Sequence, residues 1–259
     1  MLELRRGVVV EAEDPTGPEQ RMQVEIDGEK RAAIADVPLV GPSEVGDEVI
    51  VNVQARNLGL GSGGFDVVHV NLTRGLDGSG LPGAHVMKLN YTSLQHAVLP
   101  VETEDLQTPL GRPVAVLALH GQLAPFAWAL ARAAPGTALG YVQTGGGALP
   151  GGHSRAVREL RARRLLSGHL TAAPAYGGEG EAITTAGAIH HGLAELGWEA
   201  AVCGPGPGII GSGSALGHGG LAALDSAHAA LALGCPTLLV ARMSSSDPRA
   251  RHLGVSHHT

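Results

Sequence analysis

The sequence predicts an α/β protein: a carboxyl-terminal, mostly parallel sheet with flanking helices, preceded by a small β-barrel-like domain. Up to about residue 75 the apolar residues recur with a period of two and turn residues punctuate the runs. From Arg112 onward, short apolar runs rich in strand formers alternate with longer amphipathic ones. A third observation is GPGPGIIGSGSALGHGG, Gly204 to Gly220, where eight glycines and two prolines in seventeen positions mark a loop of bare backbone.

In the first part, RRGVVVEAE, the two runs of RMQVEIDGEKRAAIADV, DEVIVNVQA and FDVVHVNLT read as five short strands. Asp27-Gly28 between alternating runs is a two-residue hairpin signal, because both central positions of such a turn take positive φ. Loops such as PLVGPSEVGD and LGLGSGG separate the rest, and five strands so spaced suggest a small closed or half-open barrel. The expected organisation is a barrel-like domain over 1–75, a bridging strand and linker over 76–111, and an α/β domain over 112–259.

Within that last part, RPVAVLALH, TALGYVQT, LTAAPAY, EAAVCG and PTLLVARM read as strands. LAPFAWALARAA, HSRAVRELRARRLL, EAITTAGAIHHGLAELG and LAALDSAHAALALG read as helices between them, and Gly168, Gly197 and Gly234 stand where carboxyl-terminal caps are expected. The alternation implies right-handed β-α-β units.

Bulk properties exclude several classes. With 259 residues, 44% hydrophobic and 16% charged, the chain can bury a core or two, and no run approaches the ~18 apolar residues of a membrane span. MLELRRGVVV lacks the features of a signal peptide, and two cysteines in apolar surroundings, Cys203 and Cys235, make no disulfide framework. A cytoplasmic protein is expected. A net charge of −6 argues against nucleic-acid binding through overall charge. A homo-oligomer stays open.

Ligands of open α/β sheets bind outside the carboxyl ends of the strands. Five loops should meet there: His120-Gly121-Gln122; Gln143 to Gly147; Tyr176 to Glu179; the glycine-rich stretch; and Arg242 to Asp247. GPGIIG, Gly206 to Gly211, matches G-x-G-x-x-G, but it follows a late strand, holds Pro207 and does not open a helix directly. Ser212 and Gly213 stand where a phosphate-binding lysine motif would continue. No NAD, FAD or ATP signature results. The candidate ligand-binding set is Thr144, Gly145, Gly146, Gly177, Gly178, Gly206, Gly208, Gly211, Ser212, Gly213, Arg242, Asp247, Arg249 and Arg251. Bare amides would form a nest for an anion and arginines a fork. Close packing against neighbouring backbone explains the glycines equally well.

His120 at a strand end and Glu179 at a helix start are the candidate acid/base groups, set against a packing histidine and a helix-capping carboxylate. Cys203 reads as a small buried hydrophobe. Arg155, Arg158, Arg161, Arg163 and Arg164 read as a solvated helix face. His252, His257 and His258 in DPRARHLGVSHHT are candidate ligands for a divalent metal, against a histidine-bearing tail.

NLGLGSGGFDVVHVNL, HVMKLNYTSLQ, LHGQLAPFAWAL, YVQTGGGALP, AYGGEGEAI, GPGPGIIGSGSALGHGG and SSDPRARHLGVSHHT, in this order, resemble the blocks of an uncharacterised bacterial family of unknown function, DUF3866. The resemblance implies which blocks act together and names no substrate. The family pattern has an aspartate at positions 145 and 179 and a hydrophobic residue at 205, where this chain has Gly145, Glu179 and Pro205. Catalysis through an aspartate at 145 would not carry over. The pattern also runs on past its SHH block, which leaves open whether this chain lacks a last helix or strand that relatives have.

The expected function is binding of a small phosphate- or carboxylate-bearing ligand at the sheet's carboxyl edge, with no reaction named. Two rivals stand beside it: a sensor or adaptor whose barrel binds a protein or nucleic acid, and a metal-dependent hydrolase built on the histidine cluster.

Overall fold

The computed structural model describes residues 1–15, 17–60, 63–257 and 259. The chain divides into two compact units, Met1–Pro82 and Gly83–Thr259.

In the first unit, strands β1 (Leu4–Ala12), β2 (Glu19–Ile26), β3 (Glu29–Asp36), β4 (Glu48–Asn52) and β5 (Asp66–Asn71) close into a barrel in the order β1-β2-β3-β5-β4. The helical turns α1 (Val37–Val40) and α2 (Gln54–Asn57) connect β3 to β4 and β4 to β5. Every neighbouring pair is antiparallel except β3 with β5. This is a five-stranded Greek-key barrel of the OB type, and its closure leaves no free sheet edge.

The period of two works as the sequence implies: Met22, Val24 and Ile26 of β2 point inward with Val9, Val49 and Val51. Asp27 (φ 53°) and Gly28 (φ 82°) turn the chain so that Ile26 faces Glu29. Two buried carboxylates are paired by arginine forks. Arg31 donates to Asp66 at 2.7 and 3.1 Å, and Arg74 donates twice to Asp47 at 2.7 Å. Asp47 also accepts from the Glu44 amide and Asn71 Nδ2, so its charge is met from three sides.

The second unit opens with a hairpin of β6 (Val86–Lys88) and β7 (His96–Val98). There follow β8 (Val114–Leu117), α3 (Leu123–Ala133), β9 (Leu139–Thr144), α4 (Arg155–Ala162), β10 (Gly168–Ala172) and β11 (Gly180–Ala182). Then come α5 (Thr185–His190), continued as a π-helical turn over His191–Glu195, and β12 (Ala200–Pro205). The 3-10 turn Gly219–Ala222 leads into α6 (Ala223–Ala232), followed by β13 (Thr237–Val240) and a minimal hairpin of β14 (Met243–Ser244) and β15 (Gly254–Val255).

Six strands make one parallel sheet in the order β11-β10-β9-β12-β8-β13. One face packs on α3 and α4 through Leu123, Ala127, Val157 and Leu160, and the other on α5 and α6 through Ala188, Ile189, Ala223 and Ala230. Covered on both faces, β8, β9, β10 and β12 are wholly buried, which is why β8 and β12 read as apolar runs, although β9 and β10 also bury Gln143, Thr144, His169 and Thr171.

Two local expectations need correction. Gly168 is no helix cap: α4 ends at Ala162, and the left-handed residue after it is Arg164, φ 57°. Gly168 opens β10, and with Gly140 and Gly192 it forms a slot for the buried Trp198 indole, which a Cβ at any of the three would strike. Glu179 begins no helix; it lies in the turn before β11. β11 itself, three residues reading GEA, has no apolar run by which sequence could announce it.

Candidate functional site

Because the sheet is parallel, His120, Thr144, Gly177 and Gly178, the Gly206 to Gly213 loop and Arg242 all follow strands at the same edge. They do not form one pocket. Four local arrangements divide them.

The first is the seam between the β9 and β12 loops. Gly147 bridges Ile209 antiparallel, the Ile210 amide donates to Gly146 O at 3.1 Å, and the Leu149 amide donates to Pro207 O at 3.2 Å. A Cβ on Gly146 would collide with Gly219 O, one on Gly219 with Gly146 O, and one on Gly147 with Gly206 O. Backbone thus packs on backbone, and that accounts for bare chain at Gly146, Gly147 and Gly219, while a Cβ on Gly206 would strike the Gln143 side chain. The amides expected to form an anion nest are partly spent inside the protein: Ser212 donates to Gly217 O at 2.6 Å and Gly219 to Ile210 O at 2.7 Å. Gly208 O accepts from Ala148 N, Thr144 is buried with its hydroxyl on Gly145 O, and Gly145 lies against Pro174.

The β10 loop is the second, and its amides are met by its own side chains. Gly177 N donates to Glu181 Oε1 at 2.7 Å and Gly178 N to Thr171 Oγ1 at 3.3 Å. Glu181 Oε2 takes Thr171 Oγ1 at 2.7 Å and the buried Lys88 ammonium at 2.5 Å, while Lys88 also donates to Thr171 O and Ala175 O. Burial pushes the Lys88 pKa down, against the pull of Glu181. Glu179 lies outside this knot and accepts from Arg161 Nε at 2.6 Å.

His120 sits between two hydroxyls that sequence reasoning missed. The Tyr141 hydroxyl reaches Gly204 O and Pro205 O, each at 3.1 Å, and carbonyls only accept, so its proton is committed. Its oxygen must therefore accept from His120 Nδ1 at 3.3 Å, which leaves Nε2 of the neutral ring to accept from Ser154 Oγ at 2.9 Å. Ser154 Oγ also accepts from Val157 N at 3.2 Å and so caps α4. Burial lowers the His120 pKa, against a hydrogen bond to the Pro205 backbone that raises it. Below it His169 stacks on Tyr141, ring centroids 5.2 Å apart, with Nε2 unpartnered among the described residues; burial pushes its pKa down to about 3.

The fourth arrangement is a cleft of about 280 Å³. One wall is the glycine-rich loop: Ile209, Gly211, Ser212, Ser214 and His218. The other is the chain's last segment: Arg249, Arg251, His252 and His257. The walls touch where Arg251 Nη1 donates to Gly213 O at 3.1 Å and His257 Nε2 to Ala215 O at 2.9 Å. Asp247 stands behind, accepting from Arg242 Nη2 at 2.9 Å and from Arg249 Nε and Nη2 at 3.0 Å; these arginines hold its pKa far below the usual carboxylate range. Arg251 Nε donates to His252 Nε2 at 3.2 Å, so the His252 proton sits on Nδ1, facing Ser256 Oγ at 2.9 Å. His218 accepts from Gly220 N on Nδ1. Burial lowers the pKa of both His218 and His252, as do nearby arginines.

The structure thus brings Gly211, Ser212, Arg249, Arg251, His252 and His257 to one cleft, with Gly213, Arg242 and Asp247 supporting it. His218 joins them unforeseen, a lone histidine among glycines. His258 lies outside the described residues. Among the described residues no three His, Cys, Asp or Glu side chains are disposed to hold a metal ion. Cys203 and Cys235 are free and buried, and burial raises the pKa of both thiols. No helix among the described residues is long and apolar enough to cross a membrane.

This α/β sheet with a basic cleft beyond its strand ends can be set beside known sequences. The family described as "Protein of unknown function (DUF3866)" matches residues 32–259, and the chain belongs to that family. No curated protein and no solved structure matches it.

Proposed function

We propose that the protein binds a small phosphate- or carboxylate-bearing molecule in the cleft between the Ile209 to His218 loop and the Arg249 to His257 segment. The observation that carries this reading is the lining itself: two arginines, three histidines and two serines, with no carboxylate among them. Arg251 spends Nε and Nη1 on the protein, and Nη2 has no partner among the described residues. Arg249 is held by Asp247 in a fork that an incoming anion would share. A volume of about 280 Å³ suits a ligand the size of a phosphate ester or a dicarboxylate.

Titration calorimetry with inorganic phosphate, pyrophosphate and a dicarboxylate at low ionic strength tests this. At least one should bind with a dissociation constant in the millimolar range or tighter, and Arg251→Ala should weaken it at least fivefold. No heat from any probe, or affinity unmoved by the substitution, overturns the reading. On the same reading the protein works in the cytoplasm; His120, bonded to Tyr141 and Ser154, and Glu179, committed to Arg161, do not line this cleft.

Charge also favours a second role. Met1–Pro82 carries fourteen carboxylates against seven cations, net −7, and the remainder eleven cations against ten carboxylates, net +1. An acidic barrel suits a basic protein partner and opposes a nucleic acid.

A further inference from the structure

We propose that the β13 edge of the parallel sheet pairs with the same edge of a second copy of this chain. Parallel strands are ordinarily covered on both faces, and β8, next to β13, is wholly buried. β13 departs from that. Leu238 is 60% exposed and Leu239 44%. Val240 packs with the cluster under α3, so Leu238, two residues away, belongs to that face and Leu239 to the face of α6. Both faces are therefore underfilled at one edge.

The neighbouring elements extend the apolar area. α6 turns Ala223, Ser226 and Ala230 toward the sheet and leaves Leu224 and Leu231, seven residues apart, more than half exposed. α5 packs on α6 from the β10 side, so the two leucines occupy the flank turned toward the β13 edge. Immediately after β13, Met243 and Val255 face each other across β14 and β15, both more than half exposed.

The strand itself is an open template. Among the described residues β13 pairs with β8 alone, and its outer peptide groups meet no strand. Its TLLV sequence has none of the lysines or inward charges that blunt exposed edges.

A second copy fits because the edge is self-complementary. Antiparallel pairing about a two-fold axis normal to the sheet keeps each face on its own side. Leu238 then lies near its counterpart beside α3, Leu239 near its own beside α6, and the six-stranded sheet continues into twelve. The exposed parts of these side chains come to on the order of 600 Å², most of the ~800 Å² one partner buries in a stable interface. This proposal does not rest on the anion cleft.

Sedimentation equilibrium of the full chain from 1 to 100 μM tests it. A dimer of twice 26.3 kDa is expected. Leu238→Lys should weaken the dimer at least tenfold while circular dichroism stays native, since the residue is exposed; Leu224→Lys on α6 should act in the same direction without touching the strand. Hydrogen exchange should show β13 amides protected in the wild type and released in Leu238→Lys. A monomeric wild type across the range overturns the proposal, as does a dimer indifferent to both substitutions.

Discussion

Gly219 and Gly213 lie in the same glycine-rich loop, and their surroundings differ sharply. A Cβ at Gly219 meets the Gly146 carbonyl, which is held in the loop seam, whereas one at Gly213 meets nothing within 4 Å. Gly219→Ala is therefore expected to destabilise the protein by about 1–3 kcal/mol, as overpacking does, and Gly213→Ala to change little. Urea melts of the two variants check this.

His169 supplies a residue-scale prediction about pH. Its folded pKa, about 3, lies below the ordinary histidine value, so the native state prefers the neutral ring. That preference is fully present above pH 6.5 and is lost as pH falls from there toward 3. His169→Phe keeps the stack on Tyr141 and removes the titration. Between pH 6.5 and 5, where most carboxylates are still silent, the wild-type melting temperature should fall more steeply than that of the variant. Parallel slopes would refute the assignment. None of this was legible in HLTAAPAY, because the burial of His169 depends on Tyr141 and the Gly151 turn, which belong to other elements.

Elements with strong patterns were readable. The alternation through RMQVEIDGEKRAAIADV gave the β2–β3 hairpin and its turn, and apolar runs gave the buried strands of the sheet, because burial on both faces leaves one composition. Short elements held by distant contacts were not. β11 rests on β10 and on the Lys88–Glu181 knot, whose members are 93 residues apart. α4 stops at Ala162, so the left-handed residue that ends it is Arg164, while Gly168, six residues past the helix, is needed in β10 to make room for Trp198. At the other end of α4, Ser154 is both the cap and the donor to His120. Ser154→Ala should cost about 1–2 kcal/mol in thermal or urea unfolding, with Ser154→Thr retaining most of the stability. An unchanged midpoint in Ser154→Ala would mean that neither bond contributes.

At the scale of the whole molecule, β-α-β order in the sequence located the strand ends at one edge. It did not say how their loops share the space. Three of the five loops are engaged in internal packing, and the cleft falls to the glycine-rich loop and the last segment, a pairing that no periodicity encodes. The arginines of DPRARH were visible as anion ligands by type; that Asp247 already holds two of their kind in place was not.

The seam between Gly146, Gly147, Gly206 and Gly219 gives the two walls of the cleft different mechanical characters. One wall is fixed at its base by main chain packed on main chain, and carries Ser212, Ser214 and His218 into the cleft from that rigid footing. The other hangs on ion pairs around Asp247 and works as an adjustable jaw. Ligand preference can then be retuned by exchanging residues that line the cleft on either wall, while the seam glycines beneath the first wall, having no room for a side chain, must stay as they are.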